Sequence, residues 1–246
     1  MKKILIILIL GMFSVCLPAN VRISFDDVVK VADGRFWPKD WERKCTKLGI
    51  PATRFNVLKN RDGKYVLRVS ANKATGVLMM ALCRLVDLKK MPIMRWKWRV
   101  LKYPEGADGR VADRDDQPIA IYIGAHSGFL MKHSMCLRWE TETPKNTEGK
   151  VVYGGGIVKV KWFCLRNKHD GLNNWRIDQF NVADAYRKAY GRIPEEYSLS
   201  IGANSQYTES NTVAEIEYIE FITAPDADKK AGSDGEQLAL NSRNRK

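Results

Sequence analysis

Ile93-Met94-Arg95-Trp96-Lys97-Trp98-Arg99-Val100-Leu101 is the stretch on which the reading of the fold turns. Aromatic and cationic residues alternate along it. In an extended strand, successive side chains point to opposite faces, so both tryptophans fall on one side and Arg95, Lys97 and Arg99 on the other. Exposed, the two tryptophans would stack on sugar rings; large aromatics in a central strand usually fill the interior of a sandwich, so Trp96 and Trp98 are expected in the core and the cations on a solvated face.

Similar segments recur on both sides of this one. Val21 to Phe25, Thr53 to Lys59, Tyr65 to Ser70, Gly76 to Leu82, Ile119 to Ala125, Met135 to Thr141, Ile157 to Leu165, Trp175 to Phe180, Tyr197 to Ala203 and Ala214 to Thr223 all read as strands. Gly, Pro, Asn and Asp punctuate the intervals, the pattern of an all-β sandwich. Asp62-Gly63 lies between two of the segments, and its glycine can take positive φ, so the flanking strands are expected to pair as a hairpin. One segment has a different period. Val182, Tyr186, Ala189 and Tyr190 fall on one helical face, with Asn181 placed to cap the start and Gly191 and Pro194 to end it. A short helix over about 182 to 190 is expected to lie as a lid on one edge or end of the sandwich.

With 246 residues, 45% hydrophobic and 28% charged, and only 9 Pro and 18 Gly, the chain is neither disordered, collagenous nor a coiled coil. Lys2 and Lys3 precede the apolar run Ile4 to Val15, which is shorter than the roughly 18 residues that span a bilayer. Residues 1–19 therefore read as a secretory signal peptide, 20–224 as a single sandwich domain and 225–246 as a disordered polar tail. Export implies a periplasmic or secreted protein with no transmembrane span in the mature chain. Acylation of Cys16 is the alternative, although Val15 before it is larger than that reaction favours. The net charge is +13; without the leader's two lysines and the tail's five basic and four acidic residues, 34 basic face 24 acidic residues. Such a field favours an anionic glycan or another anionic component of the cell envelope. Export and the lack of a recognised motif argue against nucleic acid.

Cys45, Cys83, Cys136 and Cys164 permit up to two disulfides in an oxidising compartment, and free buried thiols equally fit the pattern. No Cys-x-x-Cys pair or histidine cluster suggests a metal, and no cofactor is expected. Asp108, Asp113, Asp115 and Asp116 crowd one loop, where they would serve calcium, ligand hydroxyls or a buried arginine. Glu140 and Glu142 would lie about 7 Å apart on one strand face, a spacing compatible with glycoside hydrolysis as well as with paired surface charge. Gly154-Gly155-Gly156 lacks the Lys-Ser/Thr of a phosphate loop and reads as a hinge or bulge.

Arg95-Trp96-Lys97-Trp98-Arg99-Val100, Pro104-Glu105-Gly106-Ala107-Asp108 and Asp115-Asp116 follow one another in an order that resembles the secreted bacterial family known as domain of unknown function DUF 3047. Trp175, Asp184 to Gly191 and Thr208 to Thr212 extend the resemblance, which runs from about Phe25 to Ile222. The chain departs from it at Gln117-Pro118-Ile119-Ala120 and Asn204-Ser205-Gln206. The resemblance implies an extracytoplasmic, jelly-roll-like β-sandwich similar to carbohydrate-binding folds. Combined with export, strand pattern and charge, it ranks a non-catalytic glycan-binding module first, with anionic ligands preferred. Trp139 would stack on a sugar, Arg95, Lys97 and Arg99 would pair with anions, and Asp115 and Asp116 would contact hydroxyls. The alternatives are a glycoside hydrolase or polysaccharide lyase using Glu140 or Glu142, and an envelope structural or interaction protein without a small ligand.

Overall fold

Strand β8 (Ile93–Lys102) takes the alternation literally: Met94, Trp96, Trp98 and Val100 are fully buried, while Lys97 and Arg99 keep solvent contact. The computed structural model describes residues 20–44, 47–127 and 131–223. In chain order the strands before β8 are β1 (Asn20–Ile23), β2 (Val28–Lys30), β3 (Phe36–Pro38), β4 (Glu42–Lys44), β5 (Arg54–Lys59), β6 (Tyr65–Asn72) and β7 (Thr75–Ala81). After it come β9 (Gln117–Ser127), β10 (Met131–Trp139), β11 (Glu148–Tyr153), β12 (Val158–Arg166), β13 (Arg176–Asn181), helix α1 (Val182–Tyr190), β14 (Tyr197–Asn204) and β15 (Asn211–Ile222).

These strands build a jelly-roll-like sandwich. One sheet has the order β13-β8-β15-β6-β5, with β1 beside β15; the other runs β11-β12-β10-β9-β14-β7-β4. A small β2-β3 hairpin pairs in neither sheet and packs beside β5, where Phe36 N–H donates to Asn56 Oδ1 at 2.9 Å. All pairs are antiparallel except β10 with β12. The chain passes back and forth between the sheets, so residues distant in sequence meet across the core. There Trp98 lies edge-on to both Trp96 and Trp139, with ring centroids 5.3 and 5.5 Å apart.

The Asp62-Gly63 hairpin forms as expected, with Gly63 at φ 75° and β5 paired to β6. Helix α1 also matches the expectation: the Asn181 side chain accepts from Asp184 N–H at 2.9 Å, and Gly191 takes the left-handed position. Its buried residues Val182, Ala183 and Tyr186 join the core, and the Tyr186 hydroxyl donates to backbone carbonyls of β9 and β10. The strand expected over Met135 to Thr141 is displaced toward the N-terminus: β10 begins at Met131 and ends at Trp139, after a register shift against β12. Gly154–Gly156 forms a single 3-10 turn, with positive φ at Gly155 and Gly156. Strands β2, β3, β4 and β11 leave no period in the sequence. Among the described cysteines, Cys83, Cys136 and Cys164 are free thiols. The expected leader, Cys16, Cys45 and the polar tail lie outside the described residues.

Candidate functional site

Arg138 defines the site because β10 alternates. Met135, Leu137 and Trp139 belong to the main core, so Ser134, Cys136 and Arg138 face the other side of the seven-stranded sheet. A second, smaller apolar cluster covers that outer side, formed by Ala120, Cys136, Val160, Trp162 and Cys164. Arg138 is consequently only 1% exposed, and a buried guanidinium requires partners. Nη1 donates to Asp115 Oδ1 at 2.8 Å and Glu140 Oε1 at 3.3 Å, while Nε donates to Cys136 Sγ at 3.3 Å. The guanidinium also lies 4.9 Å from the Trp162 ring centroid. Burial opposes its charge, but the surrounding thiol and carboxylates outweigh that and hold its pKa well above the ordinary value.

Asp115 links this interior to the rim. Oδ1 also accepts from Gln117 Nε2 at 2.7 Å, and Oδ2 accepts from the Tyr153 hydroxyl at 3.0 Å. Tyr153 is 37% exposed, so its ring presents a surface while its oxygen is anchored. Tyr207 is 38% exposed, and its own backbone N–H donates to the neighbouring Asp116.

Glu140 has no exposed surface, and burial pushes its carboxyl up to about 7 against the pull of Arg138. The Thr143 hydroxyl oxygen accepts from Gly109 N–H at 2.9 Å and lies 3.1 Å from Asp108 Oδ1 and 3.2 Å from Glu140 Oε2. Hydrogen bonds from Arg110 hold Asp108 ionised, down to about 2. The single Thr143 proton is shared between Asp108 Oδ1 and Glu140 Oε2. Two glycines allow this close packing. A Cβ on Gly109 would lie 2.6 Å from Glu140 Oε1, and one on Gly149 would lie 2.4 Å from Trp162 Cζ2.

The sequence-derived candidates separate into five places. Asp115 and Glu140 meet around Arg138. Trp139 is fully buried, with its Nε1 donating to Asn167 O, so it offers no stacking surface. Asp116 is buried and accepts from Tyr207 N–H and from the backbone and hydroxyl of Thr208, which fastens a turn. Arg95, Lys97 and Arg99 lie on the opposite sheet, beside Glu220, Glu217 and Glu215. Glu142 is exposed and pairs with Lys168, so the expected common face of Glu140 and Glu142 does not form. Asp108, Asp115 and Asp116 use their oxygens on arginines, amides and hydroxyls, and no group of three or more His, Cys, Asp or Glu is placed to hold a metal among the described residues. Arg138, Tyr153, Trp162 and Tyr207 were missed, although a lone arginine alternating with apolar residues in β10 was a signal for the first.

A family model described as "Protein of unknown function (DUF3047)" matches residues 39–220. The chain belongs to the DUF3047 family. The Arg138 cluster of this DUF3047 protein, from Asp108 to Trp162, lies wholly inside the matched span. No curated protein matches the chain. Among solved structures, this DUF3047 chain is similar to a xylan-binding domain from Paenibacillus barcinonensis, at 12% identity and TM-score 0.38, covering 83% of this chain and 94% of that one. It is also similar to winged bean acidic lectin complexed with methyl-α-D-galactose, at 12% identity and TM-score 0.40, covering 83% and 98%. A third is a carbohydrate esterase from the Shiga toxin-encoding bacteriophage phi24B, at 10% identity and TM-score 0.41, covering 83% and 100%. Likenesses this distant carry no argument about a ligand.

Proposed function

We propose that this protein is an exported, non-catalytic glycan-binding module whose site is the outer face of the seven-stranded sheet beside Arg138. The observation that supports it best is the anchoring of Tyr153: an exposed ring held by its hydroxyl to a buried carboxylate, which an arginine fixes in turn. A rigid aromatic plane beside polar groups suits a pyranose, because the apolar face of the sugar stacks while its hydroxyls find hydrogen-bond partners. Preorganisation reduces the ordering cost of binding. Arg138 is paired at 2.8 Å with the Asp115 carboxylate, so this face suits a neutral, hydroxyl-rich ligand. Glu140 has both oxygens occupied and no exposed surface, which argues against its acting on a substrate as a general acid or base.

A glycan array probed with the full chain tests the reading, followed by titration of the best neutral glycan. Tyr153→Ala is expected to weaken that binding about tenfold, the scale of one lost stacking contact. Absence of any bound glycan, or equal affinity in the variant, would reject it.

A further inference from the structure

The outer face of the six-stranded sheet carries an ordered charge pattern that the glycan reading does not use. Its central strand, β15, contributes Glu215, Glu217 and Glu220. A bulge between Ile216 and Tyr218 turns all three outward while Ile216 and Ile219 both remain buried. Each carboxylate stands between cations from the strands or turns on its two sides. Glu215 is bonded by Arg99 and Arg68, both pairs at 2.6 Å; Glu217 by Lys97 at 2.7 Å and Lys64 at 3.4 Å. Glu220 lies 3.9 Å from Arg95 and opposite Arg22 in register, and Arg22 covers the Tyr218 ring at 3.7 Å. Six cations thus face three carboxylates.

Burial decides which sign a ligand meets. The side chains of Glu215 and Glu217 are 0% and 7% exposed, whereas those of Arg68 and Lys64 are 41% and 58% exposed. The carboxylates act as posts beneath the cations. Arg68 holds Oε1 of Glu215 and Arg99 holds Oε2, each through both Nε and Nη2, so one buried carboxylate orients both guanidinium groups. The cations on β8 extend over about 13 Å from Arg95 to Arg99, judged from the strand rise. One small anion cannot cover that length. Trp175 adds an aromatic surface at one side, 4.5 Å from Arg99 and 5.2 Å from Lys97.

We propose that this face binds an acidic polysaccharide, a chain of carboxylated sugars that meets the cation rows in succession and stacks a ring on Trp175. The surface is separate from the Arg138 site, and the inference does not depend on it. Excess positive charge over buried counter-charges favours a polyanion, and the association should weaken with salt.

Titration of the full chain with polygalacturonate provides the test, beside neutral dextran, single-stranded DNA and phosphatidylglycerol vesicles. Binding to polygalacturonate is expected, with little to dextran, and the combined Arg22→Gln, Lys64→Gln and Arg68→Gln variant should bind about tenfold more weakly. Lys64→Glu alone, at an exposed position, should weaken binding with its melting temperature near that of the native chain. Tyr153→Ala, on the opposite sheet, should leave polygalacturonate binding intact, so failure at either face is seen separately. Unchanged affinity in the Lys64→Glu and combined variants would overturn the proposal. Tighter binding to DNA or vesicles than to polygalacturonate would also overturn it.

Discussion

Glu140 occupies a position where ionisation opposes folding. Burial raises its carboxyl to about 7, above the ordinary 4.5, so the folded state holds the proton more tightly than the unfolded chain. The stability gained this way is fully present below pH 4.5 and is lost as pH rises through 7. At roughly 1.4 kcal/mol per pH unit, the difference is on the order of 3 kcal/mol. Urea unfolding is therefore expected to show a stability that falls between pH 5 and pH 8, and Glu140→Gln should flatten that fall. A slope that survives the substitution would assign it elsewhere. Arg138 and Trp139 show how one residue step separates roles: adjacent side chains on β10 face opposite sides, one entering the polar cluster and the other the tryptophan core. The expectation that Trp139 stacks on a sugar fails because its partner Trp98 lies on a different strand and encloses it in the core.

Elements with a clean apolar period were legible, and those shaped by a partner were not. The hairpin at Asp62-Gly63 and helix α1 carry their own turn and cap residues, so local chemistry specifies them. Strand β4 consists of Glu42, Arg43 and Lys44, all exposed, and exists only because β7 offers an edge to pair with. Strand β11 depends on Gly149, whose missing side chain lets the backbone lie against the Trp162 indole. Gly149→Ala places a methyl group where ring atoms already sit. It is expected to destabilise the fold by about 1–3 kcal/mol, measured by chemical denaturation. The same substitution should alter near-ultraviolet circular dichroism through displacement of Trp162. A variant of native stability and spectrum would show that β11 moves aside freely. The β15 bulge has a similar logic: Glu215-Ile216-Glu217-Tyr218-Ile219-Glu220 cannot keep both isoleucines buried by simple alternation.

Across the molecule, the two sheets are joined by more than apolar contact. Asp178 on β13 accepts from the Trp98 indole at 2.7 Å and pairs with Arg166 of the opposite sheet at 2.7 Å. Arg166 also pairs with Asp170 at 2.8 Å, and these hydrogen bonds hold its pKa far above the normal guanidinium value. Asp178→Ala strands the buried indole N–H and removes the cross-sheet pair, at an expected cost of about 3 kcal/mol in equilibrium unfolding. A loss below about 0.5 kcal/mol would mean that tryptophan packing alone joins the sheets. The sequence by itself determined the β-rich class, the buried faces of the long strands, one hairpin and one helix, because alternation, turn glycines and caps act between near neighbours. The tertiary structure alone decided which charges are matched. Arg99 and Arg68 reach Glu215 from 116 and 147 residues away, and Arg138 meets Asp115 from 23, so their pairing depends on how the sheets bring distant strands together.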